Sequence, residues 1–145
     1  AYIIGEHGDS ELALWSGASV SGIDLETFCH LRGQDDYRQL TRRLYEQVRD
    51  SAYAIISRKG ATYYGIAMAV ARIAECMMKD QRSVLPVSAV LDGQYGLRDL
   101  AISVPSIVGR DGLETVLEVP LSPEERQALE ASARQLRQAL SSAGL

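Results

Sequence analysis

Ser83-Val84-Leu85-Pro86-Val87-Ser88-Ala89-Val90-Leu91-Asp92-Gly93 is the stretch that decides the fold class. Its first nine residues are β-rich, and Asp92-Gly93 closes them with a strong turn signal. A period of two continues beyond it. Ala101 to Val108 reads as a second strand, Arg110-Asp111-Gly112 as a turn, and Glu114 to Val119 as a third strand. Three strands in sequence with short connections make an antiparallel meander. Pro86 and Pro105 cannot donate to a ladder, so edges or bulges are expected there.

Outward from this sheet the period becomes helical. On the C-terminal side, Leu121-Ser122-Pro123-Glu124-Glu125 opens a helix with Ser122 as N-cap, Pro123 at the first helical position and Glu125 completing a capping box. Leu129, Ala133, Leu136 and Leu140 fall on one face, giving a surface helix that ends near Gly144. On the N-terminal side, Asp36 to Lys59 carries Tyr37, Leu40, Leu44, Val48, Ala52, Ile55 and Ile56 at helical spacing, with Asp35 and Asp36 at its start and Gly60 just past its end. A second helix follows, with Thr62 positioned to cap it and Ile66, Ala69, Val70, Ile73, Ala74 and Met77 along one side. Its low charge before Arg72 predicts burial of most of its surface. Residues 16 to 25 read as one short strand, and 26 to 35 as a connection with one helical turn. The pattern is α+β: long helices packed on one side of an antiparallel sheet.

With 145 residues the chain has the size of one domain, and 46% hydrophobic against 23% charged residues is ordinary for a globular protein. A net charge of −4 lacks the clustered cationic excess that nucleic acids or anionic membranes require, so neither is an expected partner. No signal peptide pattern and no apolar run of about 18 residues is present, which reads as a cytoplasmic protein. Cys29, in a loop-like region, and Cys76, inside a helical pattern, lack metal or redox spacing and are expected to be reduced, with Cys76 in the core. The chain opens within an apolar strand and without an initiator Met, so an upstream segment is expected.

Chemistry concentrates near the start. Ala1-Tyr2-Ile3-Ile4 reads as a short buried strand, Leu12-Ala13-Leu14-Trp15 resumes the apolar character, and Gly5-Glu6-His7-Gly8-Asp9-Ser10-Glu11 between them is a tight polar loop. Gly5 and Gly8 keep the backbone low and leave His7 prominent. Imidazole titrates at about pH 6.5, so His7 is the candidate for acid–base work; the plain alternative is a loop histidine with hydrogen-bonding duties only. A metal site is disfavoured because neither the cysteines nor a second nearby histidine supplies enough ligands.

Gly5 to Glu11 followed by Trp15-Ser16 strongly resembles the catalytic histidine loop of the L-lactate dehydrogenases, in the lactate/malate dehydrogenase family. Lys59-Gly60-Ala61-Thr62-Tyr63-Tyr64-Gly65-Ile66-Ala67 is similar to the family's substrate-facing helix bend. Ser83 to Val87, Asp92 to Gly96, Ser103-Val104-Pro105 and the capped last helix continue the resemblance in the family's order over essentially all 145 residues. Ala13 departs from it, standing where these enzymes commonly have proline.

The resemblance implies that residues 1–145 are the C-terminal catalytic domain of a longer dehydrogenase, with the N-terminal Rossmann domain absent from this chain. It implies NAD as cofactor and the interconversion of pyruvate and L-lactate at the end of glycolysis. His7 would donate and accept the proton, Thr62 would lie against the substrate's methyl side, and Ile66 would pack against the nicotinamide. Gly65 and Tyr64 would shape the same wall, and Asp9 would assist the loop's hydrogen bonding. Without that resemblance Thr62 reads as a helix cap and Ile66 as a core residue. The complete enzyme would be a homotetramer. The substrate arginines, the aspartate partner of the histidine and the glycine-rich cofactor loop precede this segment in the family, so the isolated chain is expected to be inactive. The alternatives are a malate-type or other 2-hydroxyacid dehydrogenase, and a non-catalytic oligomerisation module.

Overall fold

The computed structural model describes residues 1–144. In chain order it contains the hairpin β1 (Tyr2–Ile4) and β2 (Leu12–Leu14), the two-residue strands β3 (Ser19–Val20) and β4 (Ile23–Asp24), and the helices α1 (Leu25–Leu31), α2 (Tyr37–Lys59) and α3 (Tyr64–Met78). The meander β5 (Ser83–Asp92), β6 (Arg98–Gly109) and β7 (Gly112–Val116) follows, and α4 (Pro123–Ser142) ends the chain. The meander pairs antiparallel in the order β5-β6-β7, so β6 is central. The α+β class and the three-stranded meander agree with the sequence pattern. Among the described residues no helix is long and apolar enough to cross a membrane.

Alternation along β6 sends Leu100, Ile102 and Val104 into the core, where Leu91, Ala89 and Val87 stand opposite them in register. Ile4, Leu12 and Leu14 of the first hairpin complete one contiguous cluster with Leu129 and Ala133 of α4. Each fully buried Leu, Ile or Val among them contributes about 1.5–3 kcal/mol. The N-terminal hairpin and the C-terminal helix thus share one core, although they lie at opposite ends of the chain. Ser122 accepts from the Glu125 N–H and the Glu125 side chain accepts from the Ser122 N–H, which completes the capping box.

Tyr95 is the buried corner of the connection after β5. It adopts φ of +55°, and its hydroxyl donates to the Leu117 carbonyl at 2.8 Å while accepting from the Val119 N–H at 2.9 Å. That pair of bonds ties the β5–β6 turn to the segment leading into α4.

Several expectations are corrected. Residues 16 to 25 are not one strand: β3 and β4 pair as a hairpin about Ser21-Gly22, both at positive φ, the requirement of a type I′ turn. The following connection contains α1, two turns long, capped by Asp24 and carrying a buried Cys29. Pro86 lies on β5, an edge strand of the meander, as one of the two expectations had it, but neither Pro86 nor Pro105, on the central strand, causes a bulge. They face each other in the β5–β6 register, and the Pro105 carbonyl accepts instead from the Leu117 N–H on the other side, at 2.8 Å. In such a non-hydrogen-bonded pair the missing donors point out of the ladder, so nothing is lost. The register shifts lie at Leu91/Asp92 and Ile107/Val108. The third strand spans Gly112–Val116 instead of reaching Val119.

The helices differ most from their reading. α2 has the predicted ends, with Asp36 accepting from the Gln39 N–H and Gly60 in the left-handed conformation. Of its predicted apolar stripe only Tyr37 and Leu40 are half-buried; the inward face continues as Thr41, Tyr45 and Arg49, while Leu44, Val48, Ile55 and Ile56 are between 39% and 49% exposed. The N-cap of α3 is Tyr63, without a side-chain bond, so Thr62 does not cap it. Nor is α3 buried: only Cys76 is, anchored to β6 by its thiol 3.0 Å from the Val108 carbonyl. No other element of the described chain covers the first two turns of α3 or the second half of α2, so their apolar side chains stay open.

Candidate functional site

Antiparallel pairing of Tyr2 with Leu14 and Ile4 with Leu12 turns residues 5 to 11 into the loop of a hairpin. That loop has four holds, three from other elements and one within itself. On β6, Ser103 exchanges two backbone bonds with Gly5, at 2.9 and 3.0 Å. Gly5 has φ of +97°, and a Cβ there would lie 2.9 Å from Ser132 Oγ and 3.0 Å from Leu12 Cδ2, so both backbone and space call for glycine. From α4, Ser132 Oγ accepts the Glu6 N–H at 2.7 Å and is bonded to Ser10 Oγ at 3.2 Å. The Ser10 hydroxyl also donates to the Glu6 carboxylate. Within the loop the Glu11 N–H donates to the Gly8 carbonyl at 3.1 Å.

α2 supplies the fourth hold. The Tyr45 hydroxyl donates to the Glu11 carbonyl at 2.5 Å, and the Tyr53 hydroxyl donates to Asp9 Oδ1 at 2.9 Å. The bond to Asp9 raises the Tyr53 phenol above its ordinary range. Asp9 therefore serves the loop's hydrogen bonding, as expected of it.

His7 itself is exposed, at the mouth of a cleft of about 420 Å³ lined by Ile3, Ile4, Glu6, Glu11, Pro86, Ser88 and Ser103 besides the imidazole. The Glu11 carboxyl in this wall is raised by burial, an effect that the charges of His7 and Arg49 oppose. A larger cleft, about 510 Å³, lies at the other end of β1 between Tyr2, Leu14 and Val119 to Ser122. It contains no imidazole or carboxylate, whereas the smaller one has His7, Glu6 and Glu11 in its wall. Among the described residues no cluster of three or more His, Cys, Asp or Glu could hold a metal ion.

Thr62 and Ile66 are exposed, at the α2–α3 bend and in the first turn of α3, and neither lines the cleft beside His7. The structure therefore does not gather His7, Thr62 and Ile66 into one cavity of this chain. Residues that the pattern did not single out hold the loop instead. Ser132 was signalled only as a hydroxyl on the apolar face of α4, and Tyr45 and Tyr53 as an aromatic row one position from the apolar stripe of α2.

Glu125 secures the exit of the same hairpin. Its carboxylate accepts from the N–H groups of Trp15 and Ser16 at 2.8 and 2.9 Å and from Ser16 Oγ at 2.5 Å, in addition to the Ser122 N–H at 2.9 Å. Burial pushes its pKa up, but these donors outweigh it and leave the group below the usual carboxylate range.

A family model described as lactate/malate dehydrogenase, alpha/beta C-terminal domain, matches residues 1–144. The chain belongs to the lactate/malate dehydrogenase family. It is 45% identical over 141 residues to L-lactate dehydrogenase 1 of Clostridium acetobutylicum, covering 97% of this chain and 45% of that protein. Over 138 residues it is 48% identical to an L-lactate dehydrogenase of Priestia megaterium, covering 95% and 43%. Among solved structures, a lactate dehydrogenase enzyme from a Medee basin deep-sea metagenome library superposes with a TM-score of 0.93 at 36% identity, over 99% of this chain and 46% of that one. The minor L-lactate dehydrogenase of Enterococcus mundtii, in its ligands-bound form, gives a TM-score of 0.90 at 39% identity, over 97% and 45%. The chain thus spans less than half the length of these members, and what it corresponds to is the family's C-terminal domain.

Proposed function

We propose that residues 1–145 form the catalytic domain of an NAD-dependent L-lactate dehydrogenase, in which His7 exchanges the proton as pyruvate and L-lactate interconvert. The observation that carries this reading is His7 itself: an exposed imidazole on a loop pinned by β6, α4 and α2, lining a cleft. Acid–base catalysis needs such a group, free at its ring and fixed at its backbone.

Protonated His7 donates to the ketone oxygen of pyruvate. Bound NADH supplies the hydride. As the carbonyl carbon is reduced its oxygen gains negative charge, so the imidazolium stabilises the transition state more than the ground state and then yields its proton. In the reverse direction neutral His7 takes the hydroxyl proton of L-lactate. Thr62, which lies outside the cleft beside His7 in this chain alone, would in the complete enzyme limit the space on the substrate's methyl side. Ile66, 63% exposed in the first turn of α3, offers an apolar surface suited to the face of a nicotinamide ring. All sheets of the described chain are antiparallel, and none leads through a glycine-rich loop into a helix as a dinucleotide-phosphate cradle requires. Most of the cofactor's contacts therefore come from outside this domain.

The proposal extends to a cytoplasmic homotetramer for the complete enzyme. The open apolar stripes of α2 and α3 support it, because contiguous apolar surface of this kind is ordinarily covered by another domain or subunit. In the full-length protein, NADH-dependent pyruvate reduction is expected, and His7→Asn is expected to abolish it. Preference for oxaloacetate over pyruvate would replace this reading by the malate-type one. Full turnover in the His7→Asn variant would leave only an assembly role. The 145-residue chain alone is expected to show negligible turnover.

A further inference from the structure

The Ser132 hydroxyl is fully buried in the middle of α4, the only polar member of the helix's buried row with Leu129 and Ala133. Burying a hydroxyl is unfavourable unless it is hydrogen-bonded. Ser132 directs its bonds across 126 and 122 residues of chain, to the Glu6 N–H and to Ser10. Both partners belong to the histidine loop. The Glu6 N–H lies one residue before His7, and Ser10 in turn binds the Glu6 carboxylate, so the hydroxyl is the node of a small network around that residue.

Gly5 defines how closely this node is fitted. An added Cβ at Gly5 would stand only 2.9 Å from Ser132 Oγ, so the loop backbone and the helix approach as nearly as a glycine permits. With Gly5 bonded to Ser103 on one side and Glu6 bonded to Ser132 on the other, the backbone entering His7 is fixed from β6 and from α4 together. Glu6 and Gly8, flanking the histidine, are each held, the first by Ser132 and the second by the Glu11 N–H.

We propose that Ser132 is a positioning residue for His7, holding the imidazole in the geometry for proton transfer from the far end of the chain. The proposal rests on the reading of His7 as the proton donor. α4 then has a part in catalysis beyond its part in the core: its register along the sheet sets where the imidazole sits. Proton transfer is sensitive to such placement, and an error of about 1 Å in a catalytic group can lower turnover about 100-fold.

The test uses the full-length holoenzyme with NADH and pyruvate. Ser132→Ala is expected to lower kcat by about 10- to 100-fold, to leave KM for NADH within about twofold, and to move the pH profile of kcat, at a temperature where the variant is fully folded. Ser142→Ala, whose hydroxyl bonds only to the Gln138 carbonyl within the same helix, is expected to change none of these. Should Ser132→Ala not fold, Ser132→Cys carries the test, since a thiol of similar size keeps only a weak acceptor and is expected to lower kcat in the same sense. A lower melting temperature with unchanged kcat and pH profile would overturn the proposal and make Ser132 merely structural. His7→Asn tests the underlying reading separately: if that variant turns over normally, the reading of His7 fails whatever Ser132 does.

Discussion

Replacing Glu125 by Gln tests how the end of the chain holds the hairpin that carries His7. In the native side chain Oε1 accepts from the Trp15 and Ser16 N–H groups, and Oε2 accepts from Ser16 Oγ and the Ser122 N–H. An amide can keep the first two bonds with its oxygen. Its NH₂ group then faces the Ser122 N–H, donor against donor, and the capping box is broken. Loss of a hydrogen bond to a charged group costs about 1.5–3 kcal/mol, and loss of a cap about 1 kcal/mol, so the variant should be destabilised by about 2–4 kcal/mol at pH 7. The pH dependence has a definite sign. Because the folded-state pKa is depressed, the carboxylate's contribution is present above the unfolded value of about 4.3 and is lost as pH falls through the folded value. Urea unfolding followed at Trp15, the single tryptophan of the chain, should therefore show a gap between wild type and Glu125→Gln that is full at pH 7 and narrows on acidification below about pH 4. A gap under about 0.5 kcal/mol at pH 7, or one that stays constant to about pH 3, would refute the reasoning.

Gly5→Ala combines a positive φ with a Cβ against Ser132 Oγ and Leu12, so a loss of about 2–4 kcal/mol is expected in thermal unfolding, accompanied by reduced pyruvate turnover in the full-length protein. Tyr95→Phe leaves the Leu117 carbonyl and the Val119 N–H without their partner and should cost about 1–3 kcal/mol by denaturant titration; an unchanged midpoint would remove Tyr95 from its bracing role. Leu129→Ala empties a site at the junction of α4 with the sheet and should cost about 2–5 kcal/mol, read as a shift in urea midpoint at constant slope.

The legible parts of this protein were those where local chemistry and tertiary structure agree. Ser122, Pro123 and Glu125 predict a helix start from neighbouring backbone alone, and that start is what forms. Asp36 and Gly60 bound α2 for the same reason. The period of two from Ser83 placed the meander, since alternation reports which side of a strand meets a core. Residues 16 to 25 were misread because two strands of two residues each are too short for any period to develop, and the Ser21-Gly22 turn is the only sign of their pairing. The orientation of α2 differs from its reading because the apolar stripe from Leu44 onward is not the side that meets this domain. Tyr37 and Leu40 at its start are half-buried, but beyond them the side that turns inward is Thr41, Tyr45 and Arg49, with the Tyr45 hydroxyl bonded to the polar histidine loop.

For the site, sequence alone determined the loop and its histidine: glycines at Gly5 and Gly8, polar residues between two apolar strands and one imidazole are local features, and the resemblance of that loop to a dehydrogenase family follows from the same residues. Only the tertiary structure decided what holds it. Ser103, Ser132, Tyr45 and Tyr53 stand between 34 and 126 residues from their loop partners, and hydrogen bonds over such separations leave no trace in the spacing of side chains along the chain. The bond from Ser132 exists because the first hairpin and the last helix bury their apolar faces in one core, which brings its hydroxyl to the backbone beside His7.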